Sequence, residues 1–530
     1  PHEATDLPLT LGRIAGLIGS RPEALREALG SPRGRERFAA RPVAHDLAWQ
    51  SIARVESRLW ALAGVLTQAT PVRSYRYGSS AAHVLGWLGE VDREQLRQRA
   101  FQGYRQGDVI GREGVERLLD RELRGRAGGR NVLVDAHGRE LERLDAIEAQ
   151  PGRNVVLTLD HRLQQTAEAA LARTGHSGAV VALDPRNGEV LVLASLAAFD
   201  PNDFAVGIDR ARWQLLREDP ETPLHNRALQ GMYPPGSTYK VVTALAGLEA
   251  GVITPEETVN CTGSYRLGRR RYRCWKREGH GLVDLHRAIV ESCDVYFYTL
   301  SELLGIDRLG YYARALGLGV PTGIDLRGES AGLVPTPAWK QRRFGEPWVG
   351  GETVSVGIGQ GFNLWTPIQL ASTYAAIARG GTRYRPFVVK RIEDSHGRLV
   401  EERVPAPQSD VAISRESLEF VRDALLDVVQ DPHGTGYIMR GLPGGVKAAG
   451  KTGTAQVVAL AKDPPPAEED IPEELRDHAW FVTYAPDDDP RIVVAVLVEH
   501  GGHGGTAAAP IAREVVVEFL EHEAELYARN

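Results

Sequence analysis

Ser237 and Lys240 stand three residues apart in Tyr233-Pro234-Pro235-Gly236-Ser237-Thr238-Tyr239-Lys240, directly before the apolar run Val241 to Leu248. A hydroxyl one helical turn from an amine becomes a nucleophile when the amine takes its proton. The amine can do so near neutral pH only where burial or nearby positive charge lowers its pKa. Only seven of the 63 basic residues are lysine, so Lys240 stands where arginine, which keeps its proton, was not used. The Pro-Pro-Gly bend cannot continue a helix, and the apolar spacing after it predicts a buried helix starting close to Ser237. Unpaired N–H groups at such a start suit a developing oxyanion. The same residues also fit a helix cap beside a solvated lysine, since Ser-x-x-Lys is common.

Three further clusters bear on the choice. Glu291-Ser292-Cys293-Asp294 is a polar turn leading into the aromatic run Val295-Tyr296-Phe297-Tyr298. Ala448 to Gln456 reads as a strand containing Lys451-Thr452-Gly453-Thr454, a cation and two hydroxyls beside a glycine that lets a ligand approach; that set suits a carboxylate. Cys261, Cys274 and Cys293 are all the cysteines of the chain, and His280 falls between them. Three thiolates and an imidazole make a satisfactory tetrahedral zinc set; one disulfide plus a buried thiol is the other reading.

The elements that must position these groups follow from the rest of the chain. With 530 residues and 42% apolar content, two or three well-cored domains are expected. A net charge of −6 argues against nucleic acid as a partner. No stretch of about 18 apolar residues would span a bilayer, and the start at Pro1 leads us to expect an N-terminal piece outside this sequence. Residues 1–152 read as an accessory region of short helices and turns, with a boundary near Gln150-Pro151-Gly152-Arg153. Residues 153–530 read as one α+β unit. Gly178 to Asp184 and Gly188 to Ser195 form a hairpin; Val446 to Val458, Ala479 to Tyr484 and Arg491 to Glu499 are further strands, with a closing helix from Pro510 to Leu526. Strands from both ends around a helical middle imply an antiparallel sheet flanked by helices, with a helical subdomain inserted.

Ser-x-x-Lys, Ser-x-Asp and Lys-Thr-Gly in this order form the motif set of penicillin-binding proteins and serine β-lactamases. Asp477-His478-Ala479-Trp480-Phe481, and Gly357-Ile358-Gly359-Gln360-Gly361 followed by Thr366-Pro367-Ile368-Gln369-Leu370, extend the match. Tyr77-Gly78 through Gly111-Arg112-Glu113-Gly114 and Arg124-Gly125-Arg126 are similar to a non-catalytic pedestal. Over nearly its whole length the chain resembles the class B penicillin-binding transpeptidases. Tyr272-Arg273-Cys274-Trp275-Lys276, Gly279-His280-Gly281 and Trp339 to Phe344 are most similar to the elongation enzymes of rod-shaped bacteria, the penicillin-binding protein 2 group.

The resemblance implies a five-stranded antiparallel sheet with a helical subdomain and a pedestal, and an acyl transfer that needs no cofactor. Ser237 would attack the carbonyl between the two terminal D-alanines of a donor stem peptide, Lys240 would accept its proton, and an amine of a second stem peptide would resolve the acyl-enzyme. Ser292, assisted by Lys451, would relay a proton to the leaving amine. The N–H groups of Ser237 and Thr454 would form the oxyanion hole; Lys451, Thr452 and Thr454 around Gly453 would hold the terminal carboxylate; β-lactam antibiotics would acylate Ser237. Position 294 is Asp where many relatives have Asn. An ionised carboxylate cannot donate to a substrate amide, so Asp294 is expected to pair with Lys240. Relatives carry a metal beside the second motif, which gives Cys261, Cys274, His280 and Cys293 a structural zinc reading.

Peptidoglycan stem peptides, a RodA-type SEDS glycosyltransferase and the MreC scaffold are the implied partners. The implied location is the bacterial inner membrane with the catalytic domain in the periplasm. The acid- and proline-rich segment Asp463 to Asp477 is expected as a loop over the site or as a surface linker. Two rivals stay open: a β-lactamase or D,D-carboxypeptidase that admits water to the acyl-enzyme, and a pedestal-based activator of the glycosyltransferase.

Overall fold

The computed structural model describes residues 4, 6–30, 40–98, 102–134, 140–457 and 471–529. The chain forms two compact units, one of Pro1–Arg76, Arg124–Gly152 and Pro201–Asp209, the other of Tyr77–Leu123, Arg153–Asp200 and Arg210–Asn530.

In the first unit, helices Leu7–Ile18, Pro22–Leu29 and Trp49–Glu56 bury Leu11, Ile14, Leu25, Leu29 and Val55 against one another. Asp6 caps the first helix by accepting from the Leu9 N–H at 3.0 Å. The third of these helices stops at Glu56, and the chain continues only as a single 3₁₀ turn, Leu59–Ala61. Gly64 beyond it has φ +75, a conformation no helix can hold. Gly129–Val134 and Glu140–Ile147 pair as an antiparallel ribbon.

The second unit is built on a five-stranded sheet. In chain order its pertinent elements are helix α1 (His161–Ala172), strands β1 (Gly178–Leu183) and β2 (Val190–Leu196), helix α2 (Lys240–Glu249), hairpin strands β3 (Ser264–Leu267) and β4 (Arg270–Arg273), and helical segment α3 (Asp294–Ala315), which is broken at Gly305 (φ +72). There follow α4 (Pro337–Phe344), α5 (Gly350–Gly357), α6 (Pro367–Ala378), β5 (Ala449–Ala455), β6 (His478–Ala485), β7 (Ile492–Val498) and α7 (Gly504–Arg529). The sheet order is β5-β6-β7-β1-β2, antiparallel throughout, which joins strands from the two ends of the unit.

Both faces are covered, which is why β1 and β7 read as unbroken apolar runs. Val180, Ala182, Val494 and Val496 face α1 and α7 through Leu163, Ala512 and Val515. Val181, Val493, Ala495 and Leu497 share a cluster with Val241 and Leu245 of α2 and Leu370 and Tyr374 of α6. Each such fully buried side chain contributes about 1.5–3 kcal/mol relative to exposure. The closing helix starts at Gly504, six residues before Pro510, which is accommodated inside it. Strand Asn154–Leu157 lies outside the central sheet and pairs instead with Val389–Glu393. Among the described residues no helix is long and apolar enough to cross a membrane.

Candidate active site

The nucleophile-bearing turn is clamped between the sheet and the helical region. Gly236–Tyr239 is a 3₁₀ turn, and regular α-helix begins only at Lys240. Gly236 has φ +55, and a Cβ there would lie 2.4 Å from the Thr454 carbonyl oxygen, so the turn sits directly against β5. Its N–H donates to Gly359 O at 2.9 Å, Trp480 Nε1 donates to Pro234 O at 2.9 Å, and the Tyr374 hydroxyl donates to Thr238 O at 3.0 Å. Ser237 is half-buried, and its hydroxyl has no hydrogen-bond partner among the described residues. It faces the cleft.

Lys240, by contrast, is fully buried. Its Nζ donates to Ser292 O at 2.8 Å, Ser292 Oγ at 3.1 Å and Asp294 Oδ1 at 2.7 Å. The pairing of Asp294 with Lys240 is therefore present, and the first and second motifs are joined by a single ammonium group. Burial pushes the Asp294 carboxyl up from its ordinary range, with the Lys240 charge opposing it. Asp294 Oδ2 accepts the Trp275 N–H at 2.8 Å, and the Trp275 indole N–H is shared between Glu291 O and Ser292 O, both at 3.0 Å. These bonds hold Ser292 at φ +55, a left-handed conformation that costs a non-glycine residue about 1–3 kcal/mol.

On β5, Lys451 is fully buried and its Nζ donates to Thr452 O at 3.2 Å. Burial, reinforced by the Lys240 charge, holds its pKa well below the lysine range. Successive strand residues point to opposite faces, so Thr452 and Thr454 share one face and Lys451 lies on the other; the cation and the two hydroxyls do not form one face. Thr452 Oγ1 donates to Thr435 Oγ1 at 2.8 Å. Gly453 is required by crowding: a Cβ would meet Thr238 Cγ2 at 2.9 Å and Pro235 O at 3.0 Å. The Thr454 carbonyl accepts Gln360 Nε2 at 2.8 Å, away from β6. In an antiparallel strand the N–H of a residue points the same way as its C=O, so the Thr454 N–H also points out from the edge of the sheet.

Cys261, Cys274, His280 and Cys293 converge as well. Their ligand atoms lie within 4.8 Å of one another, and His280 Nδ1 is 3.5 Å from both Cys261 Sγ and Cys274 Sγ. All three cysteines are free, so a disulfide is not formed. The structure thus joins Lys240, Ser292 and Asp294 by hydrogen bonds, seats the Ser237 turn against Thr454, divides Lys451 from Thr452 and Thr454 across β5, and gathers Cys261, Cys274, His280 and Cys293 beside the second motif. Sequence reasoning missed Trp275, Gln360 and Tyr374 as supports. Gln360 lies within the glycine-rich stretch that had been noticed; nothing local marks Tyr374. Of the segment Asp463 to Asp477, residues 463–470 lie outside the described ones, and Glu473–Leu475 forms one 3₁₀ turn.

Comparison with known proteins agrees with this geometry. Residues 178–517 match the family described as penicillin binding protein transpeptidase domain, and residues 2–157 match the penicillin-binding protein dimerisation domain. The peptidoglycan D,D-transpeptidase MrdA of Salmonella typhimurium is 35% identical over 535 residues, covering 99% of this chain and 85% of the relative. The solved complex of penicillin-binding protein 2 with MreC from Helicobacter pylori superposes with a TM-score of 0.82 at 28% identity, covering 99% of this chain and 93% of that one. Penicillin-binding protein A of Mycobacterium tuberculosis, solved as its penicillin G acyl-enzyme complex, gives a TM-score of 0.66 at 28% identity, covering 86% and 96%. With the fold, the three motifs and these matches in agreement, the chain belongs to the penicillin-binding transpeptidase family.

Proposed function

We infer that this protein is a peptidoglycan D,D-transpeptidase that crosslinks stem peptides during cell-wall elongation, with Ser237 as its nucleophile. The observation that carries the assignment of roles is the buried Lys240 ammonium bridging Ser292 and Asp294 at 2.7–3.1 Å, one turn from an unengaged Ser237 hydroxyl. Ser237 Oγ attacks the carbonyl of the penultimate D-alanine and its proton passes to Lys240 in the amine form. Ser292 Oγ, 3.1 Å from Lys240 Nζ, is the group through which that proton moves on toward the leaving amine. The tetrahedral oxygen is held by the Ser237 and Thr454 N–H groups, each such donor being worth about 3–4 kcal/mol. As the C–N bond breaks, Ser292 delivers a proton to the departing D-alanine amine. An amine of a second stem peptide then attacks the ester, forms the crosslinking amide and returns the proton to Ser237.

Thr452 and Thr454 beside Gly453 hold the terminal carboxylate of the donor, and Lys451, buried on the opposite face of β5 and close enough to feel the charges of Lys240 and Asp294, assists Ser292 in the proton relay. Labelled penicillin tests this directly: it should attach to Ser237 in the intact protein, and Ser237→Ala should take up none. Label recovered on any other residue would sink the assignment.

The four-residue Cys/His group fits zinc. Ligands about 2.0–2.3 Å from one ion lie within about 4 Å of each other, close to the spacing present, and four protein ligands leave no open coordination position. Cys261, Cys274, His280 and Cys293 would hold the ion. Its contribution would be structural, because Cys293 lies between Ser292 and Asp294, and Cys274 precedes Trp275. Mass spectrometry of protein prepared without chelators should find one zinc per chain; finding none, together with a Cys–Cys bond, rejects the site.

Residues 1–152 serve as the pedestal and 153–530 as the transpeptidase domain. The partners proposed for the pedestal are a RodA-type SEDS glycosyltransferase and MreC, at the periplasmic side of the inner membrane. The MreC reading is supported by the Helicobacter pylori complex.

A further inference from the structure

One hairpin departs from the charge pattern of a chain whose net charge is −6. Strands β3 and β4 and their turn carry Arg266, Arg269, Arg270 and Arg271, all exposed, and none of the four forms an ion pair with a described residue. Arg266 stands directly opposite Arg271 in the register. Like charges in that position weaken a β-ribbon, and a hairpin required only to fold would gain from an acid at either place. The ribbon is nonetheless fixed. Tyr272 is buried, its hydroxyl donates to Gly351 O at 3.3 Å and the Arg270 guanidinium lies 5.0 Å from its ring centroid, whereas Arg266 and Arg271 lie on the opposite, outward face. Acids on the elements around the hairpin are engaged elsewhere: Glu302 accepts from the Tyr265 hydroxyl, Glu291 pairs with Arg287 at 2.5 Å and Lys276 at 3.6 Å, and Glu352 pairs with Lys340 at 2.5 Å.

The hairpin also has a direction. Strand β4 runs straight into Cys274 and Trp275, and Trp275 donates to Asp294 and Ser292. The basic strip therefore ends at the turn that carries the second catalytic motif. An anionic membrane would be served equally well by a basic patch anywhere on the surface. A strip leading to the reacting groups fits a polyanion that is consumed there.

We propose that the β3–β4 hairpin binds the carboxylates of uncrosslinked peptidoglycan, holding the strand that supplies the acceptor amine next to the Ser237 ester. This rests on the transpeptidase reading of Ser237. Stem peptides place carboxylates at intervals along a glycan, so several weak, salt-screened contacts act together.

The test uses the full chain and fluorescent uncrosslinked glycan strands bearing pentapeptide stems, beside the same strands with their carboxylates amidated. The combined variant Arg269→Ala, Arg270→Ala and Arg271→Ala should bind native strands about tenfold or more weakly at low salt and crosslink them correspondingly less. Raising salt from about 50 to about 300 mM should bring the wild type toward the variant. The corresponding triple lysine variant should retain most of the binding, and penicillin acylation of Ser237 should stay within about twofold in all of them, because the donor half-reaction does not use the hairpin. Equal binding of amidated strands, or wild-type binding by the alanine variant, overturns the proposal. So does a fall in acylation in step with crosslinking, which would mean that the hairpin only supports Trp275. Tighter binding to phosphatidylglycerol vesicles through the same arginines would make it a lipid-reading surface instead. A wild-type protein that penicillin does not label would refute the transpeptidase reading itself, a distinct result.

Discussion

Lys240→Ala should lower penicillin acylation by about 10³-fold or more and destabilise the catalytic unit by about 3–5 kcal/mol. The two effects have one origin. Lys240 Nζ is the only described group that donates to Asp294 Oδ1, Ser292 O and Ser292 Oγ together. Removing it takes away the base and leaves a buried carboxylate without its counter-charge. Breaking one side of such a pair is far more costly than the net worth of the pair itself. Lys240→Met combined with Asp294→Asn should therefore regain most of the stability, since no unpaired charge is left, and none of the acylation. Denaturant unfolding and rapid-mixing acylation on the three proteins check this. A Lys240→Ala protein that acylates within tenfold of the wild type would show that the amine is not the base.

The second large effect is expected at a glycine. Gly236→Ala should cut acylation by about 100-fold or more, because a Cβ would sit 2.4 Å from Thr454 O and force the nucleophile turn and β5 apart. Backbone cannot yield as a flexible side chain can. Gly251 supplies the control: its φ is +61, close to the +55 of Gly236, but nothing lies within 4 Å of the position its Cβ would take. Gly251→Ala should cost about 1 kcal/mol for the left-handed conformation and leave acylation intact. Gly236→Ala should pay that plus the clash, about 3 kcal/mol in all. If the two variants lose equal stability and Gly236→Ala still acylates normally, the close approach between the turn and β5 is not what aligns the site.

Much of this was legible in the sequence, for an identifiable reason. Acyl transfer needs a hydroxyl, an amine that can be neutral and a carboxylate grip, and Ser237, Lys240, Ser292, Asp294 and Lys451 advertise those types where arginine is otherwise the rule. The sheet was legible in Gly178–Leu183 and Ile492–Val498, because strands covered on both faces must be apolar throughout. What escaped was set by contacts far apart in the chain. Asn154–Leu157 pairs with Val389–Glu393, whose Lys390, Arg391 and Glu393 hide its strand character. Trp275 reads as one more aromatic, and only the fold turns its two N–H groups onto the Ser292–Asp294 turn. Lys451, Thr452 and Thr454 group in the sequence as one carboxylate grip, but the two-residue period of a strand divides the cation from the hydroxyls.

Strand β5 is the rim of its sheet, and that position has a consequence for selectivity. Among the described residues no strand lies along its outward amides, the Thr454 N–H included, so an extended peptide laid alongside would be added as a sixth strand whatever its side chains. Backbone pairing of that kind is blind to sequence. Discrimination therefore has to come from the end of the guest chain: a terminus short enough to stop at Thr452 and Thr454 is retained, whereas the middle of a longer polypeptide has to run on past them.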